Sequence, residues 1–199
     1  LKTLEEPAPH AILILLAKSL EPILPTITSR AQVLHLRPAP TAAIYDTLTR
    51  LYNVSSDDAT LLAHLSAGRM GWAVGALSDP DLLVKRGSAF DLLDQLLAGS
   101  RVEQFKLSDD LAKDKAGLLT LLELWLSFWR DVTLLVEGSG LDPTNVDRMD
   151  ALKRLARTVT PDEAAAALTA TRDTINTLTS TTANTRLALD VMLLNYPKM

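Results

Sequence analysis

Arg30 is the residue in this sequence whose position most invites chemistry. It sits in PTITSRAQVLHL, residues 25–36, after a Pro and a Thr/Ser cluster and before the apolar run Val33–Leu34–His35–Leu36. A guanidinium carries a permanent charge and a planar fork of donors that suits carboxylates and phosphates. At a junction between a helix and a strand it reads in two ways. It is a surface charge matched to a helix end, or a cation held out, with Ser29 before it, for a partner.

Other reactive constellations are missing from the sequence. There are no cysteines, which excludes disulfides, thiolate metal sites and cysteine nucleophiles and fits a reducing cytosol. The three histidines, His10, His35 and His64, have no ligand-spaced partners and read as packed or half-exposed residues. No GxxxxGK[ST] loop occurs, and Gly68–Arg69–Met70–Gly71 is too short and lacks the lysine. No Ser/His/Asp arrangement stands out. The acid pairs Glu5–Glu6, Asp57–Asp58 and Asp109–Asp110 read as solvated or dipole-matched charges at helix ends. Trp125, Phe128 and Trp129 fall on the same stripe as leucines and read as core.

The chain has 199 residues, 47% of them apolar, and a net charge of −4, a globular composition with no basic excess for nucleic acid. The run AILILLA, residues 11–17, is too short to span a bilayer and lacks signal-peptide flanks. It reads instead as a strand covered on both faces. LKTLEE reads as a helix end stopped by Pro7 and Pro9. LEPILPTITSR reads as a short helix or turn, and AQVLHLRP as a second strand. Strand, helical connection and strand make a βαβ unit of a parallel sheet. Two strands bury little, so further strands are expected upstream, and a chain opening on Leu reads as one that starts inside a domain.

From Pro40 the pattern is helical. AAIYDTLTRLYN places Ile44, Leu48, Leu51 and Tyr52 on one stripe. SSDDATLLAHLSAG is a helix capped by Ser55 or Ser56 and closed by Gly68, and GRMGWAVGALSD a helix interrupted by Gly75. Pro80 marks a boundary. Longer helices follow. One carries Leu118, Leu121, Leu122, Trp125, Phe128, Trp129 and Val132 on a single face and ends at Gly138–Ser139–Gly140. Another starts at Thr160, with Pro161 in its first turn and Glu163 three residues on. The expected fold is mainly α. An α/β remnant with two parallel strands spans 1–39, a small helical domain 40–79, and a helical bundle 80–199.

Five segments taken together, LKTLEEPAPHAILILLA, LEPILPTITSRAQVLHLRP, LSAGRMGWAVGALSDP, LLELWLSFWRD and NTRLALDVMLL, resemble the bacterial DNA polymerase III clamp-loader family, and within it the delta prime type. The resemblance implies the second half of an AAA+ domain, a lid domain and a C-terminal collar. In that family the segment similar to TITSRAQ carries a Ser-Arg-Cys motif, whose arginine reaches toward the triphosphate of a neighbouring subunit. Carried over, Arg30 is a trans arginine finger preceded by Ser29. Ala31 stands where the family has Cys, and a buried Cys behaves as a small apolar residue that Ala replaces.

ATP-binding relatives place a nucleotide-sensing arginine where this chain has Gly71. Arg69, two positions away and roughly 200° around a helix, points elsewhere. Ala17–Lys18–Ser19 also departs from the usual sensing turn. The resemblance thus implies a subunit that is not an enzyme by itself and holds no cofactor, while neighbours bind ATP and Mg. It would be a cytoplasmic part of the DNA polymerase III holoenzyme, a nucleotidyltransferase assembly. Its partners would be gamma/tau and delta through the collar, with the sliding clamp and primed DNA met through the complex and no membrane. Two alternatives stay open at this stage: a gamma/tau-type ATPase subunit, and a free helical adaptor. Exposed strand edges also allow the chain to pair with another copy of itself.

Overall fold

The computed structural model describes residues 4, 6, 8, 10–17, 20, 21 and 23–198. Contacts divide the chain into two compact units, Leu1–Arg37 and Pro38–Met199.

In the first unit, helix α1 spans Pro25–Thr28, one turn begun by a proline. The expected strands are not there: among the described residues none is in a strand, and residues 11–17 and 32–40 carry no helix or turn either. Ile12 and Leu16 are 88% and 89% exposed, far from the two-sided burial that a central parallel strand requires. The reason is physical. A strand exists through its ladder, and AILILLA has no described strand beside it to supply one. Of LKTLEE only Leu4 and Glu6 are described, so the expected helix end lies largely outside the described residues.

The second unit is wholly helical. Helices α2 (Thr41–Tyr52), α3 (Ser56–Leu65) and α4 (Met70–Ser78) enclose one apolar cluster. Ile44 and Leu48 of α2 are fully buried in it. The expected stripe stops there, because Leu51 is 74% exposed and Tyr52 is exposed as well. Ser55 caps α3, accepting from the Asp58 N–H at 3.2 Å. Ala67 and Gly68 then turn the chain in left-handed conformations. Gly68 is required twice over: its φ is +82°, and a Cβ there would lie 2.4 Å from the Pro38 Cβ. Gly75 does not interrupt α4, which runs through it to Ser78.

Helices α5 (Pro80–Ala98), α6 (Arg101–Leu111), α7 (Lys115–Val136), α8 (Met149–Ala156), α9 (Pro161–Ser180) and α10 (Thr185–Leu194) form the larger bundle, with a 3₁₀ turn at Val146–Arg148 before α8. Helix α7 is the central element and packs against α5, α8 and α9. Its expected apolar face is buried at Leu118, Leu122, Trp125, Phe128, Trp129 and Val132, with Leu121 half-buried. Past its end, the Gly138 and Ser139 N–H groups return to the Leu135 and Leu134 carbonyls.

The aromatic residues form a connected set. Ring centroids are 5.5 Å apart for Phe90 and Phe128, 6.3 Å for Phe128 and Trp129, and 5.1 Å for Trp129 and Tyr196. Each such pair contributes about 1 kcal/mol beyond area burial. Trp125 donates its indole N–H to the Ala89 carbonyl at 2.8 Å, fixing α7 against α5. Burial pushes the Tyr196 phenol above its ordinary range, and its bond to the Thr171 hydroxyl, 2.7 Å, only partly offsets this.

Candidate functional site: Arg30 and the polar centre of the bundle

Arg30 lies just past α1, in a turn, and is exposed. A one-turn helix leaves nearly all its carbonyls without intrahelical donors. Three neighbouring groups supply them. The Ser29 N–H donates to Pro25 O at 2.9 Å, the Arg30 N–H to Ile27 O at 3.1 Å, and the Arg30 Nη1 to Thr26 O at 2.8 Å. The guanidinium thus carries its charge at the negative end of the helix dipole. Ser29 is exposed and its hydroxyl leans toward Thr26 O at 3.4 Å. Both candidate residues stand together on the surface of the first unit, held by one turn of backbone.

The other residues singled out from sequence do not join them. Lys18 and Ser19 lie outside the described residues. Arg69 precedes α4 and donates its Nε to Ser66 O at 3.0 Å. Gly71 is exposed on α4, and a Cβ added there meets nothing within 4 Å. His35 is exposed, and His64 is half-buried with its Nδ1 2.9 Å from Thr60 O. Among the described residues no group of His, Asp and Glu could hold a metal ion. Asp57 and Asp58 lie in the first turn of α3, Asp110 pairs with Lys113 at 2.6 Å, and Asp109 with Arg186 at 2.8 Å.

Sequence reasoning missed a polar centre inside the bundle. Arg86 of α5 is only 4% exposed. Its Nη2 donates to the Asn145 side-chain oxygen and, at 3.1 Å, to Asp147. Asn145 in turn donates to the fully buried Asp131 of α7. Arg130 reaches the other Asp131 oxygen at 3.0 Å. Above this, the Arg86 guanidinium carbon lies 4.7 Å from the Phe90 ring centroid, a cation–π distance. The group ties α5, α7 and the segment before α8 together. Its residues are separated by up to 61 positions, and no local pattern in the sequence marks them as a group.

Residues 1–40 match the family model described as DNA polymerase III, delta subunit. The match takes in AILILLA and the whole of TITSRAQ, including Ser29 and Arg30. It supports a DNA polymerase III clamp-loader-related family and does not single out delta prime. No curated protein matches the chain. Among the described residues no helix is long and apolar enough to cross a membrane.

Proposed function

We propose that the chain serves in a clamp loader as a delta prime-type subunit. In this reading it does not hydrolyse ATP itself, assembles with gamma/tau and delta through residues 80–199, and presents Arg30 to a neighbour's nucleotide. The observation that carries the reading is the family match over residues 1–40, which encloses Ser29–Arg30. The family description names delta, and the choice of delta prime rests on the resemblance of segments after residue 40, WLSFWRD and NTRLALDVMLL among them. Gly71 favours it over a gamma/tau-type subunit, since a residue without a side chain senses no phosphate.

The chemistry is electrostatic. Charge spreads over the phosphoryl oxygens as the terminal phosphate leaves, and a guanidinium placed there stabilises it, by about 10³–10⁵ in rate for established fingers. Arg30 would exchange its bond to Thr26 O for the phosphate oxygens as the subunits close. No ATP or Mg site is assigned to this chain; both would be bound by neighbours, in the cytoplasm, with the clamp and primed DNA engaged by the whole complex.

The test is reconstitution of the full-length protein with tau/gamma, delta, clamp and primed DNA. Arg30→Ala should sharply lower clamp-dependent ATP turnover while the complex still co-elutes, and deletion of residues 80–199 should abolish co-elution. Unchanged turnover removes the finger assignment. Failure of the wild-type chain to co-elute removes the clamp-loader reading and leaves a free helical adaptor.

A further inference from the structure

The smaller apolar cluster, built from α2, α3 and α4, meets the larger bundle at two supports. One is the start of α5, whose Leu82 and Leu83 pack against that cluster. The other is the 3₁₀ turn Val146–Arg148, against which α3 lies.

Two arginines join these supports, one reaching in each direction. Arg86 of α5 donates from Nη2 to Asn145, just before the turn, and to Asp147 within it. Arg148 of the turn donates back to α5, from Nη2 to Gly87 O at 3.0 Å and from Nη1 to Asp91 at 2.8 Å. Both guanidinium groups lie within cation–π reach of one ring, that of Phe90, at 4.7 Å for Arg86 and 5.8 Å for Arg148. Phe90 is itself buried in the core of the larger bundle, so the arginines are referenced to a fixed point.

The two kinds of contact do different work. Apolar burial draws surfaces together and favours no particular angle between them. Hydrogen bonds weaken steeply when misaligned, and those of a guanidinium come in a rigid fork. Four such bonds across one junction therefore select an angle, which Leu82 and Leu83 alone do not.

We propose that Arg86 and Arg148 form a reciprocal clasp that holds residues 41–78 in a single orientation on the bundle. Packing at Leu82 and Leu83 keeps the two clusters together, and the clasp sets how they face each other. Opening it frees the smaller cluster to rotate without detaching it. The clasp stands independently of the role of Arg30.

Double electron–electron resonance on the whole chain tests this. The sequence has no cysteine, so introduced pairs label cleanly. Thr60→Cys with Glu123→Cys reports across the junction, and Glu123→Cys with Asp162→Cys within the bundle, all at exposed positions. Both pairs should give one narrow distance distribution. Arg148→Met should broaden the junction distribution at least about twofold, because the minor orientations gain population, and leave the bundle pair and the helical circular dichroism unchanged. Arg148→Lys keeps the charge but has no fork to span Gly87 and Asp91, and should give an intermediate width. A junction distribution already broad in the parent chain, one left narrow by both variants, or equal broadening of the bundle pair would each overturn the proposal.

Discussion

Asn145 spends two donors on one oxygen of Asp131: its backbone N–H at 2.8 Å and its side-chain amide at 2.6 Å. Both residues are fully buried, so neither can turn to water for a substitute. Asp131→Ala should therefore cost about 3 kcal/mol in urea unfolding, because two donors and the Arg130 charge lose their acceptor together. Asn145→Ala should also destabilise, and the double variant should cost clearly less than the sum. Additive losses would show that the two residues do not act as a unit.

The capping residues predict the acid side of the stability profile. In two places, Ser100 with Glu103 and Thr160 with Glu163, a hydroxyl caps the N3 N–H while the glutamate returns to the cap N–H. Those backbone bonds, and secondarily the bonds to the cap hydroxyls, hold both glutamates below their ordinary range. A depressed acid contributes stability above its unfolded pKa, and that contribution fades as pH falls through the folded value. Thermal stability should fall below the ordinary glutamate pKa of about 4.5, and Glu103→Gln with Glu163→Gln should flatten that part of the curve.

Helix α10 has a simpler cap, the Asn184 side chain accepting from the Leu187 N–H at 3.0 Å. Asn184→Ala should cost about 1 kcal/mol by thermal denaturation. The loss should stay small, since the other end of α10 is held by Arg101, whose guanidinium donates to the Leu193 carbonyl and, at 3.3 Å, to that of Leu194.

The segment of residues 11–17 predicts self-association. Seven uncharged residues without proline, exposed and without a ladder, have the pattern of a strand that pairs with its own copy. Ile14→Lys should reduce self-association in sedimentation velocity and leave stability within about 0.5 kcal/mol, since Ile14 is exposed. An unchanged sedimentation profile would locate any association elsewhere.

Gly71→Arg is expected to be tolerated, because nothing lies within 4 Å of the added Cβ and the residue is exposed. Replacing a helical glycine stabilises by up to about 1 kcal/mol. A marked fall in melting temperature would mean that Gly71 is needed for packing.

Legibility from sequence followed the range of the interactions involved. Helix starts were readable because a cap is a contact across three residues, as at Ser55 and Thr160. The aromatic face of α7 was readable because its period is set by a single helix. Gly75 misled because the intrinsic cost of one glycine is small beside the packing of Ala73 and Ala76. Leu51 misled because periodicity gives a face and not its width. The strands failed because pairing is not a property of one segment. Ser29 and Arg30 were placed correctly beside a helix end, yet nothing local says what they face. The Arg86–Asn145–Asp131 group escaped notice because its members meet only in the folded bundle.

Asp79 is at once the C-cap of α4 and the N-cap of α5, with φ −126° and ψ 88°. The chain between the two apolar clusters of the second unit is thus a single residue, and Leu82 and Leu83 of α5 pack back against the smaller cluster. A link of one residue reaches only about 3.5 Å, so the end of α4 and the start of α5 stay tethered, and the packing of Leu82 and Leu83 braces them.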